Sequence, residues 1–326
     1  MIRKIALLTV AAGATMMLLQ GVAQAQAEST FPSRPITLIV PFPPGGSVDP
    51  VGRLLAQELS SRIGQSVVVE NKPGAAASIG ANILVRAAPD GYTLLLHTSA
   101  LAIDQSFKKN VPYNVKRDFT PVIGVATGDY LVVTNQKMPF KNVAEMVQYS
   151  KANPALLNYG SSGEGSSSHM IGELFKLSTG AKMTHVPYKG GGPSITGLIG
   201  NDVQVLFDTI VGSGPMIRDG KLRALGLTGA QRSPLMPDVP TVGESVPGFA
   251  VSSWMGVFAP PATPKPIVDK LYRTLNEVLA VPSVKERLAG MGQTVHSQTP
   301  EQLRTALNAD VDKWQRVVTE SKIEPQ

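Results

Sequence analysis

The chain has 326 residues and no cysteine, and its formal net charge is +6. Without cysteine it cannot form disulfides, use thiolate chemistry or carry a lipid on an N-terminal cysteine. Arg3 and Lys4 account for two of the positive charges, which leaves a mild +4 scattered along the rest of the sequence. Nucleic-acid binding requires clustered basic residues, so this pattern argues against it. A chain of this length is expected to form two α/β lobes rather than one.

The N-terminal residues have the pattern of a secretory signal peptide. Two basic residues precede an apolar run from Ile5 to Leu19, and small residues follow at alternate positions. We therefore predict a signal peptide over residues 1–27, with cleavage after Ala25 or Ala27, which both satisfy the small-residue rule. No other apolar run of the sequence is long enough to cross a bilayer. The expected location is the periplasm.

The first predicted strand and helix are joined by a loop rich in proline and glycine. Ile36–Val40 is a short apolar run typical of a buried strand, and helical spacing of apolar residues begins after Pro50. Asp49 followed by Pro50 is interpreted as a helix N-cap and the first helical residue. A helix start presents unpaired N–H groups and a partial positive charge, which together favour an anion. The simpler alternative is a well-capped turn without a ligand.

Two further strands and one helix extend the same pattern. Val67–Glu70 and Thr93–Leu96 are predicted strands, and the helix between them is rich in alanine. The third strand ends at Thr98 and Ser99, which we expect near the first loop because parallel strands place their carboxyl ends together. The alternation of strands and helices predicts a doubly wound α/β sheet.

Two segments are interpreted as connections between the lobes. A long strand-like run around Ile123–Asn135, interrupted by Gly128 and Asp129, is the first crossing, and Val251–Ala259 is the return. The predicted division is a signal peptide at 1–27, lobe 1 at 28–126 and 255–326, and lobe 2 at 127–254.

The second lobe contains a loop, residues 158–169, that we call the serine-glycine loop. Residues 160–169 include three glycines and five serines between a short strand and a helix. Like the β-strand-to-helix loop before Pro50, this loop leads into a helix start, and it lies more than a hundred residues later. Two helix starts that favour an anion, one in each lobe, predict two half-sites that face a cleft.

The acidic residues near these loops allow two interpretations. Asp208 ends an apolar strand and is followed by glycines at 212 and 214, so we expect no helix directly after it. It either points into the cleft or caps the following turn. Asp49 is expected to cap its own helix, because two free carboxylates in the cleft would repel a ligand carboxylate.

Capping patterns mark two later helices. Asn142 with Glu145 and Thr299 with Gln302 both have the spacing of a capping box. Two amphipathic helices are predicted to close the chain, the last of them beginning at Thr299.

Enzyme motifs are absent from the sequence. There is no G-x-S-x-G nucleophile elbow, dinucleotide fingerprint or Walker loop. The four histidines show no paired metal-ligand spacing. His169, just after a helix start, is either a structural residue or a donor to a bound anion. We therefore predict no catalytic residue, no metal and no cofactor.

A series of short motifs runs along the chain after the predicted signal peptide: Pro41–Ser47 with Asp49, Asn71–Gly74 with Ile79 and Gly80, Asp90–Leu94, Tyr159–Gly163 with Gly165, Ser166 and His169, Val186–Gly190, Gly220–Leu225 and Pro237–Thr241. In this order the motifs resemble those of the substrate-binding proteins of tripartite tricarboxylate transporters, the Bug-type periplasmic receptors. Ala75–Ala77 departs from the family's more glycine-rich run, and Asp104 stands where asparagine is common.

The resemblance implies a two-lobed periplasmic binding protein fold, similar to type II, in which two doubly wound α/β domains joined by crossing strands close on a small carboxylate. It implies that the first loop and the end of the third strand frame one side of the site. The serine-glycine loop would hold the carboxylate, and one acid would contact the far end of the ligand. The residues so implied are Phe42, Gly46, Ser47 and Asp49; Thr98 and Ser99; Ser161, Gly163, Ser166 and His169; and Asp208.

The implied function is a monomeric periplasmic receptor, not an enzyme, that delivers a small organic carboxylate to membrane transporter subunits. Its lobes are expected to close about hinges at the two crossings. A receptor that feeds a sensor kinase is an alternative, because it would use the same cleft. A secreted α/β hydrolase using a serine of residues 161–168 is a second alternative, although it lacks an elbow motif and an identifiable base.

Overall fold

The computed structural model describes residues 31–325, so the predicted signal peptide at 1–27 lies outside the described residues. The helices are α1 Asp49–Ile63, α2 Ser78–Arg86, α3 Ala100–Phe107, α4 Val143–Ala152, α5 Ser167–Thr179, α6 Gly191–Gly200, α7 Ile210–Arg218, α8 Lys265–Ala280, α9 Pro282–Gly290 and α10 Pro300–Glu320. The strands are β1 Ile36–Val40, β2 Val67–Asn71, β3 Thr93–Thr98, β4 Thr120–Asn135, β5 Asn158–Ser161, β6 Thr184–Pro187, β7 Val205–Thr209, β8 Leu222–Leu227, β9 Ser252–Ala259 and β10 Thr294–Gln298.

The described strands form one sheet in the order β2-β1-β3-β9-β4-β7-β5-β6, and β8 and β10 also pair with β4. The first three strands are parallel to one another, as are β5, β6 and β7. The predicted strands therefore lie in two parallel sets. The fold is α/β, as predicted.

Strand β4 belongs to both halves of this sheet. Residues Thr120–Asp129 pair antiparallel with β9, and Tyr130–Asn135 pair antiparallel with β7 and β8. Gly128 and Asp129 do not interrupt the strand, contrary to the sequence interpretation, because they pair with Ser253 and Ser252 of β9. The lobe boundaries drawn at residues 126 and 254 stay predictions.

Three apolar clusters form the core. The largest combines residues of α3, α4, α5 and α10 with residues of both halves of the sheet, from Leu95 in β3 to Phe207 in β7. A second cluster packs α1, α8 and α9 on the first half, and a third packs α6 and α7 on the second half. Both halves are therefore covered by helices, as a parallel sheet requires. No helix within residues 31–325 combines the length and the apolar character of a membrane span.

The C-terminal region corrects one prediction. Two closing helices were expected, but α9 and β10 lie between them. Only Val284 and Leu288 of α9 are buried, and β10 is largely exposed at the sheet edge, so neither has a strong apolar period. The final helix begins as predicted, with Thr299 and Gln302 forming a reciprocal capping box.

The three alanines before α2 have an unusual backbone. Ala75, Ala76 and Ala77 have φ angles of 46°, 48° and 76°, the left-handed region that favours glycine. The Lys108 ammonium donates to the carbonyl oxygens of Ala75 and Ala76, at 2.9 and 3.2 Å, and thereby holds this turn. The alanines that depart from the family's glycine-rich run are therefore strained.

We expect Ala76→Gly to raise the free energy of unfolding by about 0.5–1 kcal/mol, because relief of left-handed strain exceeds the added entropy of the unfolded chain. Chemical denaturation measures this change. The matched control is Ala309→Gly, on the exposed face of α10, which should lower the stability by about 1 kcal/mol. If both variants lose the same free energy of unfolding, Ala76 is not strained.

Candidate functional site

A cavity of about 570 Å³ lies where the two halves of the sheet meet. Its wall combines the β1–α1 loop, the turn before α2, the end of β3, the middle of β4, the serine-glycine loop and the start of α7. Residues of β9 and of the turn between α9 and β10 complete it. The two glycine-rich loops singled out in the sequence therefore face one cavity.

Asp49 organises the first loop from behind. It is 4% exposed, and its carboxylate accepts hydrogen bonds from the Gly45 N–H at 3.1 Å and the Asn71 side-chain amide at 3.0 Å. Arg53, one turn later in α1, binds both carboxylate oxygens at 3.0 Å. Burial would raise the pKa of Asp49, but these hydrogen bonds lower it below its ordinary value.

The predicted N-cap role of Asp49 is wrong. Val48 occupies the N-cap position of α1 without a side-chain hydrogen bond, and Asp49 is already inside the first turn. Its partners, Asn71 and Arg53, come from β2 and from the next turn of the helix. The local Asp-Pro pattern could not indicate the bond to Asn71, because that residue lies 22 positions away.

The serine-glycine loop is held by its own side chains. Ser166 is the N-cap of α5, accepting the His169 N–H and donating to the Gly163 carbonyl at 2.6 Å. The Ser161 hydroxyl accepts the Gly163 N–H at 3.1 Å, so that N–H is already used inside the protein. Gly163 has a φ of 133°, a backbone conformation that favours glycine because it has no Cβ.

Two helix starts contribute residues to the cavity lining. Ser167 and Ser168 occupy the first turn of α5, where N–H groups have no intrahelical partner. Ser47 and Val48 precede α1, and their N–H groups donate to no backbone carbonyl of residues 31–325. Ser47, Val48 and Ser167 line the cavity. The cavity is therefore faced by two helix starts, as the sequence predicted.

Two stacked histidines support the serine-glycine loop from below. The rings of His169 and His185 lie 3.8 Å apart and nearly parallel. His169 Nδ1 accepts the Gly165 N–H at 3.0 Å, and His185 Nε2 lies 2.7 Å from the Ser161 hydroxyl. Burial lowers the pKa of both, that of His185 to about 4, and the neighbouring His169 adds to the effect on His185.

Ser161 and His185 form a serine–histidine pair, but its surroundings do not match a nucleophile. A nucleophile would have to lie in the cavity lining to reach a substrate, but Ser161 is 1% exposed and lies outside that lining. Its hydroxyl is also within 3.0 Å of the Gly163 carbonyl. The pair therefore fixes the loop rather than presenting a reactive oxygen.

Asp208 also lies behind the cavity wall. The Ser213 hydroxyl donates to its carboxylate at 2.6 Å, and burial raises its pKa. The expectation that no helix follows this strand is wrong, because α7 begins at Ile210 with Thr209 as its N-cap. The glycines and the proline inside α7 concealed it in the sequence.

Six of the predicted site residues line the cavity and five do not. The lining residues are Phe42, Gly46, Ser47, Thr98, Gly163 and Ser166. The residues outside the lining are Asp49, Ser99, Ser161, His169 and Asp208. Each of these five lies within one or two residues of a lining residue, and Ser99 is hydrogen-bonded to the lining residue Ser253 at 3.1 Å. Ligand binding by any of the eleven stays a prediction.

Sequence reasoning missed several lining residues, among them Asp129, Tyr130, Glu164, Ser253 and Gln293. Asp129 and Tyr130 were noticed only as part of a connection, although a strand between two lobes necessarily passes the cleft. Gln293 comes from the turn after α9, and no signal in the sequence indicates its position.

Among the described residues, the cavity lining contains acidic side chains but no basic ones. Asp104, Asp129 and Glu164 belong to it, whereas no lysine, arginine or histidine does among the described residues. Asp104 is paired with Lys108 at 2.8 Å, and its pKa is nevertheless raised because it is buried. Within residues 31–325, no group of three or more potential ligands could hold a metal ion. An anion in this cavity would be bound by backbone N–H groups and hydroxyls.

The fold places the protein among the two-lobed periplasmic binding proteins, whose solved structures it matches. A sequence model described as the tripartite tricarboxylate transporter family receptor matches residues 51–323. The chain belongs to this family, whose members are receptors rather than enzymes.

Its relatives include proteins with solved structures. Protein BugT of Bordetella pertussis is 38% identical over 304 residues, 92% of this chain and 93% of that protein. The structure of R. palustris Rpa4515 with adipate has a TM-score of 0.79 and 34% identity, covering 91% of this chain and 100% of that one. MatC from Rhodopseudomonas palustris with bound malate has a TM-score of 0.75 and 33% identity, covering 88% and 100%.

We expect Asp49→Ala to lower the free energy of unfolding at pH 7 by about 1–3 kcal/mol, because it leaves buried donors unpaired. Since the pKa of Asp49 is lower in the folded protein than its ordinary 3.8, its contribution is present above pH 3.8 and lost as the pH falls further. Urea denaturation at pH 7 and pH 3 checks both statements. Asp269→Ala, which breaks an exposed pair with Lys265, is the control and should change stability by less than about 0.5 kcal/mol.

We expect stability to decrease as the pH falls from 6.5 towards 4. The stacked histidines resist protonation in the folded protein, whereas unfolded histidine takes up a proton below its ordinary pKa of 6.5. Melting temperatures between pH 7.5 and pH 4.5 measure the loss, and His185→Gln should make it shallower. His296→Gln, on an exposed strand, is the control. An unchanged slope in His185→Gln would contradict the role of the stack.

Proposed function

We propose that this protein is a periplasmic receptor that captures a small organic carboxylate in the central cavity and delivers it to a tripartite-type membrane transporter. The observation that carries the proposal is a pair of helix starts that line one cavity, the first with Ser47 and Val48 and the second with Ser166 and Ser167. Helix starts favour anions through their unpaired N–H groups and the helix dipole.

The ligand class follows from the donors and from the relatives. Adipate and malate are bound in two solved family members, and both are short carboxylates. A cavity of about 570 Å³ has a size common for small-molecule sites. The absence of basic side chains from the described lining means that oriented backbone dipoles would neutralise the bound charge.

Capture would involve closure of two lobes, residues 28–126 with 255–326 and residues 127–254, about the crossing strands. Contacts already join the two sides across the cavity: Val211 of α7 lies against Gly292, and Gln293 packs on Gly128 of β4. Such closure traps a ligand by rigid-body rotation about a few residues.

We further propose that the receptor acts as a monomer and reaches the periplasm through the signal peptide at 1–27. A receptor for a sensor kinase would have the same cleft, and pull-down of the membrane partner distinguishes the two.

The test is Ser167→Pro, which removes one backbone N–H from the start of α5. Proline is well tolerated at the first helical position, and Ser166 has φ −68° and ψ 159°, the conformation that a residue before proline prefers. We expect the affinity for a carboxylate such as malate or adipate to fall about tenfold or more, because a hydrogen bond to a charged group is lost. Calorimetric titration measures it.

The matched control is Ser167→Ala, which removes the hydroxyl but keeps the N–H. It should retain most of the affinity, and both variants should melt close to the unmodified protein. If Ser167→Pro folds and binds as tightly as Ser167→Ala, the start of α5 does not hold the carboxylate. If the unmodified protein binds no carboxylate, the proposed function is wrong.

A further inference from the structure

Asp129 is a carboxylate without a counter-charge in the cavity wall. It lies on β4 where this strand passes from one half of the sheet to the other. Among residues 31–325, no lysine, arginine or histidine nitrogen forms an ion pair with it. Asp104, the neighbouring acid of the lining, is by contrast neutralised by Lys108 at 2.8 Å.

The surrounding structure holds Asp129 in place through one oxygen. The Ser252 hydroxyl donates to Oδ1 at 2.6 Å, across the paired strands β4 and β9. Gly229 leaves room for the carboxylate, because a Cβ at that position would lie 2.4 Å from Oδ1. Within residues 31–325, Ser252 is the hydrogen-bond donor to this carboxylate, and it binds Oδ1 rather than Oδ2.

Asp129 is half-buried, and even partial burial of an acid is unfavourable unless something compensates it. An amide or an apolar residue at position 129 would avoid this cost in a site meant only for anions. The cavity already contains Asp104 and Glu164 and lacks basic side chains among its described residues. A ligand made only of carboxylates would therefore bring like charge towards Asp129, whereas a ligand with a donor group would compensate it.

We propose that Asp129 determines specificity by accepting a hydrogen bond from an ammonium or hydroxyl group of the bound carboxylate. The ligand class is then an amino or hydroxy carboxylic acid rather than an unsubstituted dicarboxylate or tricarboxylate. The inference rests on the proposed function: the ligand carboxylate lies at the start of α5, and its donor group lies towards β4. Asp129 acts on the choice between ligands, while the helix starts supply the affinity for the carboxylate that all of them share.

The experiment is calorimetric titration at pH 7.5 with compounds that differ only in the donor group. The sets are succinate, malate and aspartate; glutarate, 2-hydroxyglutarate and glutamate; and adipate with 2-aminoadipate. In at least one set we expect the substituted compound to bind about tenfold or more tightly than its unsubstituted parent, because a hydrogen bond to a charged acceptor is strong. Asp129→Asn keeps the shape of the side chain and should reduce this ratio to about one.

Two further variants serve as controls for the effect of Asp129→Asn. Asp219→Asn makes the same change of net charge at an exposed surface position and should keep the ratio. Ser252→Ala frees Oδ1 without removing the acid and should also keep the preference for the donor-bearing compound. A thermal melt of each variant confirms that it is folded, and the ligand comparison on the unmodified protein needs no variant.

Three results would overturn the inference. Unsubstituted parents that bind as tightly as their substituted partners in every set would show that Asp129 does not select a donor. Tighter binding of the parents would show instead that Asp129 is protonated and donates to a ligand carboxylate. A ratio unchanged in folded Asp129→Asn would assign the selection to another residue. If none of the compounds binds, the proposed function itself is wrong, whereas the other results leave it intact.

Discussion

The rest of the structure depends on β4, one strand that is hydrogen-bonded into both halves of the sheet. Its first ten residues pair with β9 and its last six with β7 and β8, so a single backbone sets the relative position of the halves. The β1–α1 loop and the serine-glycine loop can face each other only because their parallel strands are anchored to this common strand. Movement of one half against the other would bend β4 where it passes the cavity, between Thr127 and Tyr130, and would also bend the second connection where it enters β9 at Ser252.

The candidate site has backbone and hydroxyl donors in its lining, and the side chains that hold its two loops in place lie behind the wall. Asp49 with Arg53 holds the first loop, and the stacked pair His169 and His185 holds the second. Helix N–H groups are already ordered by the fold, so their use for an anion adds little loss of side-chain entropy. Long basic side chains, in contrast, would have to be ordered and desolvated when the ligand binds. This arrangement leaves the few acids of the wall, Asp129 above all, to distinguish between ligands.

Particular residues show where sequence reasoning succeeded and where it failed. The two loops and the capping box at Thr299 could be predicted because the conformations of glycine, proline and serine depend on neighbours a few positions away. The partners of Asp49 could not be predicted, because Asn71 lies on another strand and reaches it only after β1 and β2 have paired. The same holds for His185, whose stacking on His169 depends on the pairing of β5 with β6. Helix α7 was missed because tertiary packing stabilises it despite glycines and a proline that disfavour a helix locally.

By itself, the sequence determined the alternation of strands and helices, the two glycine-rich helix starts and the absence of an enzyme motif, because these are properties of short stretches of chain. The tertiary structure decided which of the predicted residues reach the cavity and which support it from behind. Six of them, such as Ser47 and Ser166, lie on the wall, whereas Asp49 and Asp208 turn into the protein. It also brought Asp129 and Gln293 to the same cavity from segments more than 150 positions apart. Side-chain direction depends on strand register and on packing between distant segments, and no local pattern contains that information.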